Sequence, residues 1–167
     1  MLNDILKNMS LFVDGRGYAG NVEELNLPKL AMKTEEFRAG GMDAPVEVEM
    51  GMEKLECDFM LTRIDKDLLK VFGLAPGNIV PLTIRGALVS DDGTQTPVAV
   101  NLQGTLREID WGNWKAGEKA SLKCAVALRY YKLTHGGEVV HEIDIPNMVR
   151  IIGGVDQLAT TRDALGL

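Results

Sequence analysis

Apolar and polar residues alternate with a period of two along much of this chain, and the pattern predicts half-buried β-strands. Between residues 46 and 61 the alternation is acidic, in the runs Val46, Glu47, Val48, Glu49, Met50 and Leu55, Glu56, Cys57, Asp58, Phe59, Met60, Leu61. Further alternating runs occupy 80–88, 98–107 and 122–130, and a shorter strand is predicted over 138–145. The run 122–130 places Tyr130 on the apolar face of its strand and Tyr131 on the opposite face.

Turn signals separate the predicted strands, at Asp14-Gly15, Asp92-Gly93, residues 113–117 and Gly136-Gly137. Antiparallel strands joined by such turns predict a mainly β protein, built as an antiparallel barrel or sandwich. A length of 167 residues predicts a single domain over 1–167.

Two short helices are predicted to flank the sheet. The first follows Asp65 as its N-cap, packs Leu68, Leu69 and Phe72 on one face, and ends at Gly73. The second is predicted over residues 155–164, after the Gly153-Gly154 pair.

Composition narrows the classes of function. The net charge is −6 and the pI is about 5.0, whereas a free-standing nucleic-acid-binding protein is usually basic. Cys57 and Cys124 belong to no CxxC pair and are predicted to be reduced core residues, as expected in a reducing cytoplasm. No apolar run reaches the roughly 18 residues of a membrane span, and the N-terminal residues lack the features of a signal peptide.

Motifs with chemical meaning are weak in this sequence. Residues 15–20 spell G-x-G-x-x-G, but the next segment meets Pro28 and has no helical pattern, so we interpret the motif as a glycine-rich hairpin turn. His135 and His141 lack zinc-ligand spacing, and no serine lies on a nucleophile elbow. We therefore predict no catalytic, cofactor-binding or metal-binding residues, and no cofactor.

Two surface features have more than one interpretation. The carboxylates of Glu47, Glu49, Glu56 and Asp58 fit a calcium site, a carboxylate pair or the solvated face of a β-hairpin. Trp111 and Trp114 lie in a turn between strands, where they mark either a protein interface or a loop folded over its own core.

Sequence blocks along nearly the whole chain carry a resemblance to a known family. They are residues 8–15 (NMSLFVDG), 27–30 (LPKL), 37–45 (FRAGGMDAP), 108–110 (EID), 114–119 (WKAGEK), 130–133 (YYKL), 142–144 (EID), 154–158 (GVDQL) and 165–167 (LGL). In this order they resemble the major tail tube protein of contractile P2-type phages and R-type pyocins. The segment 63–92 contributes little to the resemblance.

This resemblance implies a structural, non-enzymatic subunit. Six copies would form a ring, rings would stack helically into a tube inside a sheath, and contraction would drive the tube into the target cell. The implied partners are the tail sheath protein, a baseplate or tube initiator, a tape measure protein and a terminator. DNA would pass through the lumen in a phage, whereas a pyocin would perforate the envelope. The implied location is a virion tail or an extracellular tail-like particle, made in the host cytoplasm.

The resemblance also assigns candidate site residues. The candidates for inter-subunit contact are Gly40, Gly41, Met42, Met50, Met52, Trp111, Trp114, Leu165 and Leu167. Gly40-Gly41 would let the extended segment 33–52 turn sharply or approach another backbone closely. Glu47, Glu49, Glu56 and Asp58 are candidates for lining the lumen, because carboxylates repel DNA phosphates. The alternatives are a tube protein of another contractile injection system, such as type VI, a monomeric ligand-binding β-barrel, and, as the weakest, an enzyme.

Overall fold

The computed structural model describes residues 3–17, 21–73 and 79–167, without the side chain of Arg16. More than half of the chain is strand. The strands are β1 (Ile5–Val13), β2 (Arg16–Gly17), β3 (Val22–Asn26), β4 (Met32–Phe37), β5 (Val46–Met52), β6 (Glu56–Leu61), β7 (Val80–Val89), β8 (Gln95–Asp110), β9 (Leu122–His135), β10 (Glu138–Asp144), β11 (Val149–Ile152) and β12 (Val155–Asp156). The helices are α1 (Lys66–Leu69) and α2 (Ala159–Leu165).

The main sheet is antiparallel and is organised around the two longest strands. Its order is β12-β11-β10-β9-β8-β7-β1-β2, and β6 also pairs with the first half of β9, with β3 beside it. Because β6 and β10 use different halves of β9, the sheet divides there and encloses a core between its two parts. The end strands do not pair with each other within the described residues, so the sheet is open and is not closed into a barrel, one of the two forms predicted.

One face of this sheet is apolar and the other is polar. Leu82, Leu102, Tyr131 and Ile143 lie opposite one another across four strands, and all are buried. Phe59 of β6 and Leu68 of α1 complete the core. Thr83, Asn101, Lys132 and Glu142 occupy the alternate positions of the same four strands and therefore share the opposite, polar face.

A β-bulge in the centre of the sheet changes which residues face the core. Gln103 pairs with Tyr130 but Gly104 pairs with Leu128, so Arg129 is the extra residue on β9. The bulge reverses the alternation, which puts Tyr131 in the core and turns Tyr130 to the polar face, where its hydroxyl donates to Glu142 Oε1 at 3.0 Å. Simple alternation therefore predicted the wrong face for Tyr130.

The helices were predicted in the right places but with inexact bounds. As predicted, Asp65 caps α1, and its side chain accepts a hydrogen bond from the Asp67 N–H. The helix ends at Leu69 and not at Gly73, whose N–H donates to Leu106 O. Phe72 is exposed. The second helix, α2, begins four residues later than predicted, because Gly153-Gly154 forms a turn and β12 first pairs with β11.

Two other predictions are confirmed, the turn at Asp14-Gly15 and the burial of the two cysteines. The turn at Asp14-Gly15 connects β1 to β2, although residues 18–20 of the G-x-G-x-x-G motif lie outside the described residues. Cys57 and Cys124 are free and buried, and burial raises the pKa of each thiol to about 12. No helix within the described ranges is long and apolar enough to cross a membrane.

Gly104 gives the fold a stability test. A Cβ atom at this position would lie 2.2 Å from the Ala127 carbonyl oxygen, which is backbone and cannot move away as a side chain can. We expect Gly104→Ala to lower the free energy of unfolding by about 3 kcal/mol, as overpacking does in a tight core. Urea denaturation measures this.

Gly40→Ala is the matched control for that variant. A Cβ at Gly40 meets no atom within 4 Å, so its effect should stay within about 0.5 kcal/mol. Equal free energies of unfolding for Gly104→Ala and Gly40→Ala would contradict the close approach of Gly104 to the Ala127 backbone at the bulge.

Candidate assembly surfaces

The strands β4 and β5 form a two-stranded sheet of their own, which we call the arm (residues 32–52). Its tip is a tight turn in which the Met42 N–H donates to Ala39 O at 3.2 Å. Gly41 has φ +86°, a conformation that favours glycine, whereas Gly40 has no positive φ. The predicted sharp turn at Gly40-Gly41 is therefore present, and Gly41 is the residue that requires it.

The arm has one mainly apolar and one acidic face. Phe37, Val46, Val48 and Met50 share the first face with Glu35, which pairs with Val48, and all of them are exposed. An isolated two-stranded hairpin is marginally stable in water, and exposed apolar surface of this kind marks an interaction site. At its base, Met52 packs against the protein's own core.

The acidic face carries Thr34, Glu36, Glu47 and Glu49. Glu36 and Glu47 lie directly opposite each other, and like charges in that position destabilise a sheet. Glu49 Oε1 accepts from the Gly51 N–H at 2.9 Å and lies 3.4 Å from Nη1 of Arg150 on β11. The arm is thereby joined to the edge of the main sheet.

The remaining acidic candidates, Glu56 and Asp58, lie on β6 and not on the arm. Glu56 pairs with Arg107, and Asp58 accepts from the Asn26 side chain. Both line an open cleft of about 740 Å³ between the base of the arm and the strands β6, β8 and β9. The four predicted lumen carboxylates therefore lie in two places, and their role stays a prediction.

The cavity enclosed between the main sheet and α1 is too small to hold a ligand. The cavity between the main sheet and α1 measures about 10 Å³, and its lining is apolar. The 740 Å³ cleft is instead open and lined largely by charged side chains, unlike a typical apolar ligand pocket. No cluster suited to a metal ion occurs among the described side chains.

Trp111 and Trp114 lie on the exposed connection between β8 and β9. Their rings meet edge to face, with centroids 5.9 Å apart, and Trp114 is 67% exposed. The loop is therefore not folded over the core, which favours the interface interpretation of this pair.

The C-terminal segment is held by one arginine. Arg162 of α2 donates to the Met148 carbonyl oxygen at 2.7 Å and pairs with Asp156 of β12. No residue of α2 is buried, and Leu165 and Leu167 are exposed. This segment thus presents apolar side chains beside the same sheet edge that contacts the arm.

Sequence reasoning missed Phe37, Arg150 and Arg162. Phe37 follows four polar residues, so its apolar character was the available signal, whereas the partners of the two arginines are distant in sequence and depend on the fold.

Comparison with solved structures defines the fold class. The chain matches a chain in the PVC sheath–tube complex of an extracellular contractile injection system in the extended state, with a TM-score of 0.60 and 11% identity, over 78% of this chain and 90% of that chain. A chain of the PVC sheath/tube terminator matches with a TM-score of 0.60 and 12% identity, over 78% and 95%. The fold is therefore that of the tube proteins of contractile injection systems.

Sequence comparisons are more specific. The model of the family "Phage tail tube protein FII" matches residues 3–166. The tail tube protein of Escherichia phage P2 is 33% identical over 166 residues, covering 97% of this chain and 96% of that protein. The major tail tube protein of Serratia phage KSP20 is 30% identical over 146 residues, covering 86% and 84%. The chain belongs to the phage tail tube protein family, as the sequence blocks predicted.

Asp156 gives a pH test of the C-terminal clamp. Its hydrogen bond from Arg162 lowers the pKa of the carboxyl below the ordinary 3.8. A depressed carboxyl pKa stabilises the fold above the unfolded-state pKa, and that contribution is lost as the pH falls through the folded-state value. We expect the protection factors of the α2 amides, which correct for the pH dependence of intrinsic exchange, to fall below about pH 4 in the wild type.

The variant Asp156→Asn should show low α2 protection factors at neutral pH already, with little further decrease on acidification. Hydrogen exchange with mass spectrometry measures both proteins. High, pH-independent protection of α2 in the variant would contradict the clamp.

Proposed function

We propose that this chain is the self-assembling subunit of a contractile tail tube, in which residues 1–167 act as one tail tube domain and six copies form each ring. Rings stack into the inner tube of a sheathed tail. The observation that carries this proposal is the arm, a hairpin with an exposed apolar face and no third strand of its own. Such a hairpin gains stability when a second copy covers it.

Open sheet edges support the same assembly. Only residues 12 and 13 of β1 pair with β2, so the rest of its outer edge is without a strand partner in the described protomer. At the other end, β12 covers two residues of β11. Natural proteins cover or pair long edges, and a ring of side-by-side copies would cover these. Contacts that are head to tail close a ring or extend a helical tube.

The polar face of the main sheet is the best surface for the lumen wall. It joins Thr83, Asn101 and Lys132 in one row, with Glu142 at its end. Arg85 lies on the same face, and Asp144 lies beside Tyr130 there. This wall combines hydroxyl, amide and balanced charged groups, and its lack of net basic charge gives a passing DNA chain no strong phosphate site.

In this proposal the polar face of the main sheet lines the lumen in place of the four acidic residues predicted from the sequence. Glu47 and Glu49 belong to the arm, whose faces are more suited to contacts between copies. Glu56 and Asp58 border the cleft. A particle that carries DNA and a particle that perforates envelopes would use the same wall.

The proposed partners follow from the position of the tube in the particle. A tail sheath protein would surround it, and an initiator at the baseplate and a terminator would cover its two ends. A tape measure protein would occupy the lumen before contraction. Folding in the host cytoplasm agrees with the two free, buried thiols.

Electron microscopy of the purified protein tests the assembly. We expect stacked rings with six-fold end views, formed above a threshold concentration. Dispersed monomers at every concentration, in purified protein and in crude particle preparations alike, would contradict the proposal.

Gly41→Val should block tube formation while leaving a folded protomer, because a β-branched residue is strained at φ +86° and distorts the tip of the arm. Gly93→Val is the matched control, since Gly93 has the same φ, +86°, in the turn between β7 and β8 and is not a candidate contact residue. Circular dichroism reports folding, and microscopy reports assembly. Normal tubes from Gly41→Val would show that the tip turn does not take part in assembly.

Gln103→Cys tests the lumen wall, because Gln103 is exposed on the polar face. The two native thiols are buried, so the new cysteine is the reactive one. In assembled tubes we expect it to react with a small maleimide but to resist a maleimide on a large polymer. Arg129→Cys, which is exposed at the bulge, provides a second cysteine whose reactivity with the two maleimides is compared with that of Gln103→Cys. Equal reaction of Gln103→Cys with the large reagent in tubes and protomers would remove it from the wall.

A further inference from the structure

We infer that Arg150 is a positioning residue for assembly, which holds the arm at the angle it needs to reach a second copy. This inference rests on the proposed function of the arm. Arg150 belongs to the sheet edge, and it contacts the arm through Glu49.

Partial burial lets Arg150 serve as the anchor of this contact. Its side chain is 12% exposed, whereas arginine side chains are mostly exposed. On β11 it lies opposite Ile143, on the same face as the buried Tyr131. Its Nε atom is buried and has no hydrogen-bond partner in the described part of the chain. The carboxylate of Glu49 is therefore the counter-charge of this partly buried guanidinium. If the arm moved away, Arg150 would lose that contact.

The arm has no other polar attachment of this kind. The Glu49–Arg150 pair, which we call the latch, is the one hydrogen bond or ion pair that joins residues 33–50 to the described protein outside the arm. At the base of the arm, Met32 pairs with Met52, and the Glu53 N–H donates to Ala31 O at 2.8 Å. The register shifts between this pair and the pair Thr34–Glu49, and Gly51, with φ +102°, lies at the irregularity. A glycine at such an irregularity serves as the pivot in this proposal, and the latch restrains motion about it.

The geometry of Glu49 is fixed from both sides. Its Oε1 atom accepts the Gly51 N–H at 2.9 Å and faces Arg150 Nη1 at 3.4 Å. The carboxylate thus connects the pivot to the anchor. The neighbouring carboxylates Glu36 and Glu47 lie farther along the same face and repel each other, so they do not hold the arm in place by themselves.

The latch also links two candidate assembly surfaces. The backbone carbonyl of Arg150 accepts from the Gln157 N–H at 2.8 Å, directly after β12. Asp156 then pairs with Arg162 of α2, which presents Leu165 and Leu167. Arg150 therefore fixes the arm with its side chain and the C-terminal segment with its backbone.

Glu49→Gln separates the latch from the local turn, because the amide oxygen still accepts from Gly51 while the negative charge is lost. We expect the variant to fold normally. In the protomer, amides of residues 33–50 should exchange roughly fivefold faster, the factor expected for losing a partly exposed ion pair. Tubes should form more slowly at equal concentration.

The dependence of arm exchange on salt is a second measurement, and it would not change if Glu49 and Arg150 had only a packing role. Added salt screens a half-exposed ion pair, so arm exchange in the wild type should accelerate with salt and approach that of Glu49→Gln. The variant itself should respond little. Arg150→Met, which removes the charge of the anchor, should behave like Glu49→Gln in arm exchange.

Glu23→Gln is the matched control, since it removes the surface pair with Lys119 at 3.0 Å and leaves the arm untouched. Its arm exchange and assembly should equal those of the wild type. Unchanged arm exchange in Glu49→Gln would overturn the latch, and faster exchange with normal assembly would overturn its role in positioning. A wild type that forms no tubes would instead refute the proposed function, while the exchange measurement still decides whether the latch exists.

Discussion

Main-chain pairing between β8 and β9 is the constraint on which the rest of this structure depends. These are the two longest strands, and β7 attaches to one of them while β6 and β10 divide the other between them. The Gly104 bulge allows the change of partner, because it reverses the alternation of faces where the sheet divides. The core then lies between the two parts of the sheet, closed by Leu68 of α1.

The same division leaves surfaces that a single copy does not use. The polar face of the four central strands is continuous, the outer strands end in open edges, and the arm extends from the core as a separate hairpin. Each of these features is costly or marginal for a free protomer, and in the proposed ring neighbouring copies would cover it.

Much of this architecture could be predicted from the sequence because strand alternation and turn residues are local signals. The acidic alternation of residues 46–50 and the Asp65 cap of α1 are examples, and the Gly41 turn is another. Tyr130 was assigned to the wrong face because a bulge is set by pairing across strands, which alternation along one strand does not contain. The choice between barrel and sandwich stayed open for a similar reason, since pairing of distant edges is not encoded in any local pattern.

The candidate site residues show the same difference between local signals and contacts that depend on the fold. The arm glycines were found by turn chemistry, and the tryptophans by their position in a loop. Arg150 and Arg162 were missed because their partners, Glu49 and Asp156, come together only through the fold. The two pairs of acidic residues looked equivalent in sequence, yet one pair lies on the arm and the other beside the cleft.

An electron cryomicroscopy map of the assembled particle, at a resolution that separates strands, tests the central claim most directly. The account predicts six-fold rings in which the polar face bearing Asn101 and Lys132 lines the channel and each arm contacts a second copy. A map in which that face points outward, or in which the arms touch no other copy, would contradict it.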